Sequence, residues 1–176
     1  MTSNIPLTIM ASIDGGVAGY SKISIGDNKL KFPGEVYDQY WGVIIDRLDL
    51  SVVSKFTFSD FSKVPEELEP YLGKTQYILI LTSCRLDLTK IPTDALVDFL
   101  KTEGSGIALE KATQISDAFS GNWPEHCAYT LVAVLGDEGS RAYEGFEVFG
   151  PAMVSTLELV PITIEGKTYY TPISMN

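Results

Sequence analysis

Few residues of this sequence are equipped for bond-breaking chemistry. His126 is the one histidine, and the two cysteines, Cys84 and Cys127, lie far apart. Any Ser-His-Asp or Cys-His scheme has to pass through His126. Its neighbour Cys127 opens an apolar strand pattern, where adjacent side chains face opposite ways, so the two are poorly placed for a thiolate couple. One histidine and two separated cysteines fall short of the three or four ligands of a zinc site. Gly15-Gly16-Val17-Ala18-Gly19 lacks the Lys-Ser/Thr ending of a phosphate loop. The 23 acidic residues always offer pairs, but a glycosidase needs two at a set separation across a cleft. Asp14, Asp27 and Asp137-Glu138 lack the alternating spacing of a calcium loop. On this reading the chain is not an enzyme: no catalytic residue, metal ligand or cofactor is assigned.

Non-covalent recognition of a sugar is the chemistry these residue types suit better. A pyranose presents an apolar C–H face and a rim of hydroxyls, so its site needs an aromatic ring beside carboxylates, amides or Arg. Asn122-Trp123-Pro124-Glu125 and Asp137-Glu138-Gly139-Ser140-Arg141, with Glu144 following, offer that mixture. The candidate ligand set is Trp123, Asn122, Glu125, Asp137, Arg141 and Glu144. The two loops flank opposite ends of a strand over 128–135, so they need not share one site. Each candidate has a plainer role. Trp123 suits a loop ring folded over the core edge, and Arg141 with Glu144 suits a surface ion pair at helical spacing. Trp41 reads as core, and the Tyr37, Tyr40 and Trp41 cluster as a strand entry packed against a helix.

The elements that must position these residues follow from apolar periodicity and turn chemistry. Residues 23–25 and 30–32 flank Gly26-Asp27-Asn28 as a hairpin. Residues 41–45 and 77–81 are nearly all apolar, as strands buried on both faces are, and 52–58 alternates. Pro65 starts a short turn of helix with Glu66, Glu67 and Glu69 in it, closed by Pro70 and Gly73. Thr93 is the expected N-cap of a helix over 94–101, Gly104-Ser105-Gly106 ends it, and 107–119 is a second amphipathic helix. After the strand over 128–135, residues 154–159, 162–164 and 167–170 make a closing hairpin around Glu165-Gly166. No repeat, low-complexity stretch or linker divides the chain, so we expect one domain over 1–176, with N-terminal strands over 1–35, a core over 36–150 and C-terminal strands over 151–176.

Composition bounds the partners. At 176 residues the chain is long enough for a core without disulfides or metal, and 45% of it is apolar. A net charge of −10 with only 13 basic residues argues against nucleic acid and anionic membrane. No apolar run approaches the roughly 20 residues of a membrane-crossing helix. Met1-Thr2-Ser3-Asn4 lacks a basic n-region, so no cleaved secretory signal is expected. Cys84 and Cys127 then read as two ordinary buried or half-buried thiols, with a disulfide open only if the fold juxtaposes them. The strand-like end segments 1–13 and 167–176 suit pairing with a partner's sheet and hence a homo-oligomer.

Over residues 40–147 the order of these short signatures resembles the interleukin-like EMT inducer domain, also called the pancreatic-derived-factor-like domain. Gly42-Val43-Ile44-Ile45-Asp46 stands where the family has a Gly before an aliphatic run and an acidic residue, and Lys55-Phe56-Thr57-Phe58 matches its Phe-centred strand. The proline-linked turn, the strand from Tyr77, Gly104-Ser105, Trp123, the strand from Tyr129 to Gly136, and Gly139 with Glu144 or Glu147 follow in the family's order. The chain departs at Thr57, where an Asp is usual, and at Ser83-Cys84-Arg85, where an acidic pair is usual. The resemblance implies an α+β domain, two antiparallel β-sheets packed with two or three short helices. It also implies a noncatalytic recognition role: family members are secreted signalling factors or a sugar-binding module in a glycan transferase, and related domains look like parts of phage tail and fibre proteins. The expected partners are a carbohydrate or cell-surface receptor, other virion proteins, or copies of the chain itself. The expected location is a virion or the extracellular space, after synthesis in the cytoplasm. A structural assembly or decoration subunit and a carboxylate-based glycoside hydrolase are the alternatives.

Overall fold

The two most apolar runs of the sequence are central strands with a packed layer on each face. The computed structural model describes residues 3–14, 20–33, 37–119 and 126–174. In chain order the strands are β1 (Ile5–Ser12), β2 (Lys22–Ile25), β3 (Asn28–Lys31), β4 (Gln39–Asp46), β5 (Val52–Phe58) and β6 (Tyr77–Cys84). The helices α1 (Asp94–Thr102) and α2 (Ile107–Phe119) come next, then β7 (Ala128–Val134), β8 (Tyr143–Glu147), β9 (Ala152–Ile164) and β10 (Lys167–Ser174). Short 3-10 turns span Glu66–Tyr71 and Leu88–Lys90.

The chain is a single, mainly β domain whose strands form one hydrogen-bonded network in two antiparallel halves. One half runs β5-β4-β6-β7-β8 and the other β3-β2-β1-β9-β10. A single parallel bridge, Ser12 to Cys84, joins them. The expectation of two separate sheets is corrected to that extent: β1 and β6 touch at their ends, so the ladders are continuous through one corner. Three buried serines serve that corner, where a regular ladder would leave backbone groups unpaired. Ser12 N–H donates to Ser21 Oγ at 3.0 Å, Ser21 Oγ donates to the Ser83 carbonyl at 2.6 Å, and Tyr129 N–H donates to Ser83 Oγ at 2.8 Å.

The middle layer is β4, β6 and β7, and the alternation of side chains assigns each face. Trp41, Val43, Ile45, Ile78, Ile80 and Val132 pack against Leu7, Ile9, Ile23, Leu157 and Leu159 of the other half. Tyr40, Ile44, Leu79, Leu81, Tyr129 and Leu131 pack against Leu96 and Leu100 of α1 and Leu109 and Ala112 of α2. Each such buried side chain contributes about 1.5–3 kcal/mol relative to exposure. Trp41 meets Phe32 edge-on at 5.9 Å, while Tyr40 stacks on Phe58 at 5.2 Å from the opposite face. Gly42 admits the Phe56 ring of the neighbouring strand, since a Cβ there would sit 2.2 Å from the ring tip.

Most expected elements stand where the sequence puts them, and three expectations are revised. Thr93 holds the N-cap position of α1, but its side chain makes no capping hydrogen bond. Residues 143–147 form strand β8 rather than a helix, so Arg141 and Glu144 are not at helical spacing. The first segment is not left for a partner: β1 pairs along its length with β9 and also with β2. At the far edge, Tyr170 N–H donates to the Arg47 carbonyl at 2.8 Å and its carbonyl accepts from Arg47 Nε at 2.7 Å, so part of the outer edge of β10 is occupied by this chain.

Candidate functional site

Of the six sequence candidates, Trp123, Asn122 and Glu125 lie outside the described residues. Asp137, Arg141 and Glu144 surround β8, and the structure gives them different work. Asp137 is an exposed turn residue that accepts from Ser140 Oγ at 2.6 Å. Arg141 is exposed at the entry to β8 and lines two adjoining hollows between the sheet halves. Glu144 turns toward the helices instead. Its carboxylate accepts from Gly106 N–H at 2.8 Å, Ala108 N–H at 2.9 Å and Leu109 N–H at 3.3 Å, and from Ser105 Oγ at 2.6 Å. These are the unpaired first-turn donors of α2, so Glu144 is a helix cap supplied from a strand, and it favours the positive end of the helix dipole. Among the described residues no ion pair joins it to Arg141.

The segment that presents Arg141 is fixed by close backbone packing. Ala142 N–H donates to the Gly104 carbonyl at 3.0 Å, and a Cβ at Gly104 (φ 93°) would lie 2.2 Å from the Ser140 carbonyl oxygen. Only glycine fits there, and its positive φ is one that side-chain-bearing residues rarely adopt. Glu103, just before it, is buried and accepts from Gly136 N–H at 2.9 Å. Burial is the main cause that pushes its carboxyl above the ordinary carboxylate range.

The larger hollow, about 550 Å³, lies between β7–β8 and β9 and is lined by Thr130, Arg141, Tyr143, Ser155 and Thr156 among others. The smaller, about 280 Å³, adds Glu103, Asp137, Ser140 and Thr171, and shares Arg141 and Tyr143 with the first. Together they make a groove carrying one guanidinium, a tyrosine ring and several hydroxyls. The two acids of the smaller hollow each accept a hydrogen bond from the loop after β7, Glu103 from Gly136 N–H and Asp137 from Ser140 Oγ. Sequence reasoning reached Arg141 and Asp137 but missed Tyr143, Ser155 and Thr156, because β8 and β9 meet across the two halves and no local spacing signals it.

At the other end of β7, Cys127 is buried and pairs through its backbone with Leu86. Burial, with the nearby charges of Asp87 and Asp38, pushes its thiol up to about 12, the opposite of what a nucleophilic thiolate requires. Cys84 and Cys127 are both buried and both free. His126 precedes the Ala128 end of β7, and Tyr143 pairs with Val132 toward its other end.

Among the described residues no three of His, Cys, Asp and Glu converge as a metal site would need, and no helix is long and apolar enough to cross a membrane. No model of a known protein family matches the chain, and no curated protein matches it.

Proposed function

We propose that the chain is a noncatalytic recognition domain that binds a saccharide in the groove beside β8, in the manner of an interleukin-like EMT inducer domain carried on a virion or outside a cell. One observation carries this reading: the guanidinium of Arg141 and the ring of Tyr143 stand in one groove with the hydroxyls of Thr130, Ser155 and Thr156. A ring can cover the C–H face of a pyranose while a guanidinium and hydroxyls meet its rim. A glycan-array screen of the purified chain, with Arg141→Ala and Tyr143→Ala alongside, tests it. Binding that falls away in both folded variants supports the site. Binding that survives both, or none from the folded parent, removes it.

An assembly or decoration subunit is the second reading, and one surface favours it. Val154, Ile164 and Ile173 are exposed on β9 and β10, where the hairpin register puts them on the face turned away from the core, and Val154 keeps 61% of its surface in solvent. Sedimentation of the parent beside Val154→Lys separates the two readings: a multimer that dissociates in the variant belongs to the assembly role.

A further inference from the structure

The groove beside β8 carries a charge asymmetry that narrows what it can hold. Arg141 and Glu144 are the charged residues lining the larger hollow, whereas Glu103 and Asp137 line only the smaller one. Glu144 is committed to the helix. Its Oε1 accepts from Gly106 and Ala108 N–H and its Oε2 from Ser105 Oγ and Leu109 N–H, so both oxygens are occupied, and the positive end of the α2 dipole offsets their charge. Arg141 has no such counterpart. It is exposed, and it makes no ion pair or side-chain hydrogen bond among the described residues.

A guanidinium presents its N–H donors as a rigid fork, which an oxyanion fills with two parallel hydrogen bonds. A sugar hydroxyl offers a single oxygen, so a neutral pyranose leaves part of the fork unfilled. The main chain that carries Arg141 is already fixed, since Ala142 N–H donates to the Gly104 carbonyl at 3.0 Å and Gly104 lies close against Ser140, so little backbone freedom is lost on binding. Around it in the larger hollow, Thr130, Tyr143, Ser155 and Thr156 are neutral and hydroxyl-bearing. The two acids of the smaller hollow disfavour an anion on that side, which leaves the larger hollow as the place for one. The net charge of −10 acts over longer distances and is screened beyond about 8 Å at physiological salt, so the direct contact decides.

We propose that the groove selects an acidic saccharide, with the carboxylate or sulfate of the sugar held by Arg141 in the larger hollow and its neutral hydroxyls turned toward the smaller one. The proposal rests on the reading of the groove as a saccharide site and names the class of sugar that site takes.

The test is isothermal titration of the full chain at physiological salt with the methyl glycosides of glucose, galactose and mannose, each beside its uronate and its 6-sulfate, which share a ring and differ in charge. In at least one series an acid binds about tenfold to a hundredfold more tightly than the neutral sugar, the range of one charge-assisted contact, and the tighter of the two acids names the source. Arg141→Gln removes the difference between acid and neutral sugar, and Arg141→Lys, which keeps the charge without the fork, retains only part of it. Lys29→Gln, which removes a cation of β3 outside both hollows, leaves the difference intact. A preference that survives Arg141→Gln overturns the proposal. Neutral sugars bound as tightly as the acids, with affinity lost in Tyr143→Ala, overturn the acidic class while the groove remains a saccharide site. No binding of any probe by the folded parent overturns both.

Discussion

Glu144 holds the first turn of α2 from a neighbouring strand, and its removal has a calculable cost. In Glu144→Ala the N–H groups of Gly106, Ala108 and Leu109 lose their acceptor, while Ser105 and Tyr129 keep each other at 2.8 Å. Loss of an N-cap alone costs about 0.5–2 kcal/mol, and loss of the favourable charge at the helix dipole adds about 0.3–1 kcal/mol. Hydrogen bonds to a charged acceptor fall near 1.5–3 kcal/mol each, and the half-exposed position of Glu144 takes the low end. The expected loss is about 2–4 kcal/mol, a drop in melting temperature of roughly 5–15 °C for a domain of this size. Glu144→Gln keeps one acceptor and loses the charge, so it costs about half as much. Urea denaturation at neutral pH measures both, and native-state hydrogen exchange locates the effect: the amides of Ala108 and Leu109 exchange faster in Glu144→Ala, while those of β6 slow or quicken only with global stability. A loss under about 0.5 kcal/mol in Glu144→Ala refutes the capping role and returns Glu144 to the candidate ligands.

Two further outcomes follow from titrating groups. Cys84 and Cys127 are buried, and burial raises both thiols, that of Cys127 up to about 12; the folded chain therefore leaves a thiol reagent unreacted at pH 8, and denaturant releases both equivalents. Glu103 is raised in the fold above its ordinary value of 4.5 by burial, so the fold favours its protonated form. Its contribution is complete below that value and is lost as pH climbs through the raised one. Glu103→Gln keeps an acceptor for Gly136 N–H and removes this loss, so denaturation curves of parent and variant coincide in acid and separate in favour of the variant at neutral pH.

The parts of the fold governed by local patterns were legible in the sequence. The unbroken apolar runs of β4 and β6 marked strands covered on both faces, and 107–119 was readable as a helix to its ends. Glu165-Gly166, both with positive φ, made the closing hairpin unmistakable. What was not legible depends on contacts between distant segments. The five residues of β8 are too short and too mixed to announce a strand, so the sequence offers Glu144 only as a sugar ligand or as half of a surface ion pair. Its main-chain partners, the amides of Gly106, Ala108 and Leu109, carry no side-chain signal. Thr93 had the right type for a cap, but a hydroxyl at an N-cap position caps only when its rotamer and the first turn agree. Arg85 carries a left-handed backbone (φ 49°) that its residue type does not announce, because tertiary contacts impose it.

The Ser12–Cys84 corner divides the domain unevenly along the chain. The half built from β4 to β8 draws on residues 39–147 alone, so a ribosome can release all of it before β9 and β10 exist. The other half cannot form early: β1 leaves first, but its principal neighbour β9 begins at Ala152, some 140 positions later. Until then the Trp41, Val43 and Ile45 face of the middle layer lacks the Leu157 and Leu159 part of its cover, and β1 offers the strand edge that β9 later fills. A pairing so distant in sequence is slow to close, which makes the nascent chain, rather than the finished domain, the form of this protein most prone to aggregate. Truncations before β9 are accordingly expected to be recovered in inclusion bodies.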